Sequence, residues 1–104
     1  MKVEAMYEEA WQRLFADRAK IFVAKMEAEN VPFEWVDQRL DELKAFSRNR
    51  REKEVRKSYE GIKEGEIEQR AIRIFSNEID PLFTEKESLL RKETAQRPEN
   101  VVEK

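Results

Sequence analysis

Three observations predict an all-α fold, a small helical bundle in which two long antiparallel helices are followed by two shorter helices. Only two of the 104 residues are glycine and three are proline. Charged residues make up 42% of the chain. Apolar residues recur at steps of three and four, which places their side chains on one face of an α-helix. Together these features are typical of helices with one buried face and one solvated face.

A chain of this length supports one hydrophobic core, so we expect a single domain over residues 1–95. From Gln96 onward the sequence holds one proline and only two valines that could be buried. This composition predicts a flexible C-terminal tail over residues 96–104.

The first helix is predicted from Val3 to about Glu29, a stretch without glycine or proline. Its apolar arc is wide, which is typical of a helix with more than one neighbour, so this helix should lie at the centre of the fold. Asn30-Val31-Pro32 should end it and begin the next helix, because proline lacks an amide hydrogen but suits a first helical turn.

The second helix should begin near Pro32. Its core stripe is formed by apolar residues at helical spacing: Phe33, Val36, Leu40 and Leu43. The stripe lapses after Phe46, and apolar residues resume about a quarter turn away. Two alternatives therefore stay open, a break near Ser47 to Asn49 or one long helix whose halves face different partners. The unbroken helix would be roughly 42 Å long and would favour an elongated molecule or an oligomer.

The third helix is predicted from about Glu66 to Glu78, after a loop that includes Gly61 and Gly65. It should bury one apolar face, formed by Ile67, Ala71, Ile74 and Phe75. Ile72 and Ile79 should lie at the edge of that face.

Asp80-Pro81 should end the third helix. Thr84 and Glu87 match a capping box, in which the threonine oxygen and the glutamate three residues later satisfy free amides at a helix start. A short fourth helix should follow, anchored by Leu89 and Leu90.

The chain contains no cysteine and no histidine. This removes disulfides, thiol nucleophiles, zinc fingers and the common general base near neutral pH. No serine lies in a glycine-flanked elbow, and no glycine-rich loop is present to hold a phosphate. We therefore expect no enzymatic activity, no metal or other cofactor and no small-molecule substrate.

No stretch approaches the roughly 18 apolar residues of a membrane span. The first nine residues contain acidic side chains where a signal peptide requires an apolar run. A cytoplasmic protein without membrane contact is the expectation.

The segment from Lys44 to Lys57 holds seven basic and two acidic residues, although the whole chain has a net charge of −2. On a helix, such a cluster could bind phosphates of DNA or RNA. No recognition motif or base-stacking aromatic pattern accompanies it. The alternative is a solvated helix whose arginines pair with acids, including Glu52 and Glu54.

Two large aromatic residues, Trp35 and Phe46, lie off the core stripe of the second helix but on nearly the same line as each other. Either another helix of the same chain covers them, or they form an exposed patch for a partner.

Arg18 lies in the middle of the apolar arc of the first helix. Its stem could snorkel so that the guanidinium reaches water, which is the usual outcome. Alternatively, Arg18 is a buried or interface charge paired with a carboxylate, for which Asp37 or Asp41 of the second helix are candidates. As a metal site or acid–base dyad these two aspartates have little support, and a solvated pair is expected.

The function favoured by these features is a non-enzymatic protein-binding module, acting as a regulator, inhibitor or adaptor through a helical surface. The expected partner-binding residues combine aromatic and arginine anchors: Trp35, Phe46, Arg48, Arg50, Arg51 and Arg56. The alternative function is DNA or RNA binding through residues 44–57. The length of the second helix also suggests a homodimer.

Overall fold

The computed structural model describes residues 2–58 and 61–96, so the predicted tail beyond Gln96 lies outside the described residues. Within these ranges all regular structure is helical, which confirms the all-α bundle. The α-helices are α1 (Lys2–Ala28), α2 (Phe33–Ser58), α3 (Glu64–Ile74) and α4 (Asp80–Ala95). A π-helical turn, Phe75–Ile79, joins α3 directly to α4. We call the continuous segment from α3 to α4 the C-terminal rod.

The C-terminal rod runs parallel to α1. Lys2 at the start of α1 pairs with Glu64 at the start of α3, with 2.8 Å between Nζ and Oε2. Beyond the other end of α1, Glu29 pairs with Arg91 of α4 at 2.7 Å. The start of α1 thus contacts the start of the rod, and the end of α1 contacts the end of the rod. The two segments therefore point in the same direction.

The second helix is unbroken through residues 47–49, which decides between the two alternatives left by the sequence. It runs antiparallel to the rod, since Arg39 near its start pairs with Glu93 and Glu54 near its end pairs with Arg70. A helix of 26 residues is about 39 Å long. The radius of gyration is 16.9 Å, against about 13 Å for a compact domain of this size, so the molecule is elongated.

The turn between α1 and α2 lies at the predicted position. Asn30 has a left-handed φ of 63°, which asparagine tolerates better than most residues. The amide of Asn30 donates to the Glu27 carbonyl, and the amide of Val31 donates to the Met26 carbonyl. This is the Schellman pattern of a helix C-terminus, and it satisfies carbonyls that the ended helix leaves free.

The core lies between α1, α2 and the rod, and α1 contacts all the other helices, as expected for the central helix. The largest fully buried apolar side chains are Trp11, Tyr7, Phe22, Phe83, Met26, Leu43, Ile67, Ile79 and Leu90. Phe83 is the centre of an aromatic group, with its ring centroid 5.2 Å from Phe15 and 5.5 Å from Phe22.

The predicted stop at Asp80-Pro81 is wrong, because the π turn carries the helical path through this point. The amide of Asp80 donates to the carbonyl of Phe75, five residues earlier. Pro81 lies in the first turn of α4, where a missing amide hydrogen costs little. A π turn holds one residue more than an α turn, so it brings Ile79 back onto the buried face set by Ile74. Ile79 is fully buried, which corrects its predicted position at the edge.

The predicted capping box at Thr84 is also wrong. Thr84 and Glu87 lie inside α4, more than a turn beyond its start at Asp80. Glu87 is 1% exposed, and its carboxylate binds cations of α1 instead of a backbone amide. Its spacing from Phe83 and Leu90 places it on the buried face of α4.

Candidate docking groove on the helical hairpin

The hairpin of α1 and α2 has an open groove, with a volume of about 470 Å³. We call it the docking groove. The α1 residues that line it are Trp11, Gln12, Phe15, Ala16 and Ala19, and the α2 residues are Leu40, Lys44, Ser47, Arg48 and Arg51. The groove has a shallow apolar floor. It is formed by two small alanines on one side and by the half-buried Phe15 and Leu40.

The floor of the groove is held in place by a buried hydrogen bond between the two helices. The indole Nε1 of Trp11 donates to the Ser47 hydroxyl at 2.6 Å, and both residues are almost fully buried. Farther along the hairpin, the hydroxyls of Tyr7 and Ser58 are 3.0 Å apart. Serine is small enough to let α1 and α2 approach closely, and its hydroxyl satisfies the polar atom of each aromatic side chain.

The contact between α1 and α2 differs in its charges from the contacts with the C-terminal rod. Ion pairs join α1 to the rod, such as Arg13 with Glu68, and α2 to the rod, such as Lys86 with Glu42. Across the hairpin, residues 2–58 form no ion pair. The charged side chains of the docking groove are therefore not used to hold the bundle together.

Three cations, Lys44, Arg48 and Arg51, line the docking groove at steps of four and three along α2. Within the described ranges none of them has an ion-pair partner, and none of the residues lining the groove is acidic. The groove thus combines an apolar floor with a row of unpaired positive charges.

Arg50, another predicted partner-binding residue, is engaged inside the bundle. Its Nε donates to Glu78 of the π turn at 2.7 Å, and its Nη1 donates to the buried Glu54 at 3.0 Å. The hydrogen bond from Arg50 holds the pKa of Glu78 below its ordinary value, and the positive charges of Arg50, Lys57 and Lys53 act in the same direction. Arg50 therefore joins α2 to the rod and is not part of the groove.

The remaining predicted site residues lie elsewhere on the molecule. Arg56 is exposed and lines an adjoining depression with Glu4 and Glu52, which shares Arg51 with the docking groove. Trp35 is half-buried and packs against the core, whereas Phe46 is 50% exposed. The structure therefore brings Arg48 and Arg51 together, and places Trp35, Phe46, Arg50 and Arg56 outside the docking groove.

Arg18 lies in a partly buried charge cluster between α1 and α4. Its side chain is only 14% exposed. Its Nε donates to Asp80 at 2.5 Å, and its Nη2 donates to Glu87 at 3.0 Å. The second oxygen of Glu87 accepts from Lys25 at 3.1 Å, and the guanidinium carbon lies 4.9 Å from the centre of the Phe83 ring.

Two expectations about Arg18 are wrong. The guanidinium does not snorkel to water, because its Nη1 is fully buried and has no hydrogen-bond partner among the described residues. The carboxylates come from α4 and not from Asp37 or Asp41, which are exposed on α2. The cause is the π turn, which sets the register of α4 so that Asp80 and Glu87 face α1.

Residues 2–58 and 61–96 contain no group of three or more acidic, histidine or cysteine residues placed to hold a metal ion. Over the same residues no helix is both long enough and apolar enough to cross a membrane.

The α1 side of the groove has no clear signal in the sequence. Ala16 and Ala19 are small residues beside the apolar arc, a signal that does not distinguish a groove from ordinary helix surface. A signal is present on α2, where helical spacing places Asp37 and Asp41 on the same face as the groove cations.

Comparison of the chain with protein-family models, with curated proteins and with solved structures finds no match.

Proposed function

We propose that the protein is a helical protein-binding module and that the docking groove receives a partner helix bearing carboxylates. The observation that carries this proposal is the row of unpaired cations beside an apolar floor. An amphipathic helix fits such a groove by placing apolar side chains on the floor and acidic side chains against the row.

The shape of the groove supports a helix as the occupant. Ala16 and Ala19 allow a close approach, and α1 and α2 provide two neighbouring helices against which a third can pack. The buried Trp11 and Ser47 fix the floor of the groove, so a partner meets a preformed surface. Little conformational entropy is then lost on binding.

Nucleic acid is the rival occupant, through the basic residues 44–57. Their arrangement favours a protein, because only Lys44, Arg48 and Arg51 of the seven basic residues line the groove. Arg50 is bound to two glutamates, and Lys53 and Lys57 lie close enough to Glu78 to lower its pKa. The basic residues thus face different sides of α2 and do not form one phosphate-binding surface.

The test uses two synthetic amphipathic helices that share an apolar face, one flanked by glutamates and the other by lysines. Each peptide carries a fluorescein label, and fluorescence anisotropy during titration with the protein reports binding. We expect saturable binding of the acidic peptide and none of the basic peptide. Arg48→Glu/Arg51→Glu should weaken binding at least about tenfold, because attraction becomes repulsion at two positions.

The matched control is Lys53→Glu/Lys57→Glu, the same charge change on a different side of α2, which should leave peptide affinity within about twofold. Equal affinity for both peptides, or no effect of reversing Arg48 and Arg51, would overturn the proposal. Tighter, salt-sensitive binding of a DNA or RNA oligonucleotide through the same cations would replace it with the rival function.

A further inference from the structure

One face of α2 carries six charged residues in a symmetric order, which we call the charge stripe. It consists of Glu34, Asp37, Asp41, Lys44, Arg48 and Arg51. The steps between them are three, four, three, four and three residues, so all six lie along one side of the helix. The three acids occupy its first half, and the three cations of the docking groove occupy its second half.

Within the parts of the chain that the structure describes, no member of the charge stripe forms an ion pair. Five of the six are exposed, and Arg51 is half-buried. On the other side of the same helix, Arg39 and Arg50 are bound to glutamates of the rod. The six charges of the stripe therefore have no ion-pair partner among the described residues of the isolated chain.

Counted from its C-terminal end, the charge stripe has the same residue spacing as from its N-terminal end. Each acid is then replaced by a cation and each cation by an acid. When two copies of α2 lie antiparallel, a two-fold axis between Glu42 and Leu43 places each cation opposite an acid of the second copy. The three pairs are Lys44 with Asp41, Arg48 with Asp37 and Arg51 with Glu34, and each occurs twice. A surface that is complementary to itself in this way is what a two-fold dimer requires.

The docking groove provides space for the second helix. It opens beside the cation half of the stripe, so α2 of a second copy can lie over Ala16 and Ala19 while it contacts the stripe. Phe33, predicted to belong to the core stripe of the second helix, is instead 69% exposed at the far end of the same face. In the antiparallel register it lies opposite the turn of the second copy that contains Glu52 and Val55. An exposed aromatic residue is thereby brought into the contact.

We infer that the carboxylate-bearing helix received by the docking groove is the acidic first half of α2 of a second copy of this chain, packed antiparallel through the charge stripe. This inference rests on the proposed function, because it names the partner of the same groove. Parallel packing is disfavoured, since it would place like charges against each other along the whole stripe.

The test is a pair of charge-reversed chains studied by analytical ultracentrifugation over a concentration series. One carries Asp37→Lys/Asp41→Lys, and the other carries Lys44→Glu/Arg48→Glu. We expect the native chain to sediment at twice its 12.5 kDa mass, and each variant alone to have a dimer dissociation constant at least about tenfold higher. An equimolar mixture should recover the dimer, because the acidic and basic stripes then face each other.

The matched control Lys53→Glu/Lys57→Glu should dimerise like the native chain, and rising salt should weaken the native dimer. Circular dichroism shows whether each variant stays helical. If a reversed chain unfolds, Lys44→Gln/Arg48→Gln with Asp37→Asn/Asp41→Asn is the substitute test, and these neutral pairs should weaken the dimer without recovery on mixing. A native chain that stays monomeric near 1 mM, or variants that dimerise as well as the native chain, would overturn the inference.

The two proposals fail in distinguishable ways. A monomeric chain that still binds the acidic peptide keeps the proposed function and overturns the second copy as the partner. A chain that neither dimerises nor binds the acidic peptide overturns both. If the chain dimerises, the acidic peptide should compete with the second copy and dissociate the dimer.

Discussion

Trp11 and Ser47 form the buried hydrogen bond that joins α1 to α2 beneath the docking groove, with 2.6 Å between Nε1 and Oγ. Both side chains are almost completely excluded from water, at 2% and 3% exposure. The pair therefore connects the stability of the hairpin to the shape of the groove floor.

We predict that Ser47→Ala lowers the free energy of unfolding by about 1–3 kcal/mol, because it leaves the buried indole N–H of Trp11 without an acceptor. Urea denaturation followed by circular dichroism measures the change. Ser88→Ala, at an exposed position of α4, is the control and should change stability by less than about 0.5 kcal/mol. A Ser47→Ala protein as stable as the native one would show that the hydrogen bond contributes nothing.

Glu87→Leu should destabilise the bundle by about 3–5 kcal/mol, because it leaves Arg18 as a buried charge without its most buried partner. Arg18→Met/Glu87→Leu should recover most of this loss, since apolar side chains then replace both charges. Lys25→Ala serves as the comparison and should cost less than about 1 kcal/mol, because Lys25 is 46% exposed. Thermal unfolding of the three variants measures these differences, and a double variant less stable than Glu87→Leu would contradict the expectation.

The free energy of unfolding should decrease at low pH, in part because the Glu78 carboxylate becomes protonated. Its pKa is lower in the folded protein than the ordinary 4.5, so the ionised carboxylate stabilises the fold above about pH 4.5. That contribution is lost as the pH falls through the lowered pKa. Glu78 is 44% exposed, and solvent screening limits the contribution to less than about 1 kcal/mol. The difference in unfolding free energy between native and Glu78→Gln proteins should therefore shrink below pH 4.5, and a pH-independent difference would contradict this.

The sequence predicted the bundle well where apolar spacing and helix-ending residues agreed. The turn at Asn30-Val31-Pro32 is the best example, because asparagine accepts the left-handed conformation and proline suits the start of α2. The prediction failed at Asp80-Pro81, where the same type of signal marks the first turn of a continuing helix. Proline is compatible with both outcomes, and only the packing of Ile79 against the core decides between them.

The site was only partly predictable. Arg48 and Arg51 line the groove, but Arg50 is bound to Glu54 and Glu78, although the three lie within one turn of α2. Sequence spacing shows which side of a helix a residue occupies. It does not show which neighbouring helix lies on that side, and here the rod meets Arg50 while the open groove meets the other two.

The π turn also bears on how this chain tolerates changes in length. Because the extra residue is contained between Phe75 and Ile79, the contact of Arg70 with α2 and that of Glu87 with α1 are each set within their own half of the rod. The side chains of each half therefore keep their own orientation around the helix axis. The π turn is thus a position at which one residue can be accommodated without displacing the contacts at either end of the rod.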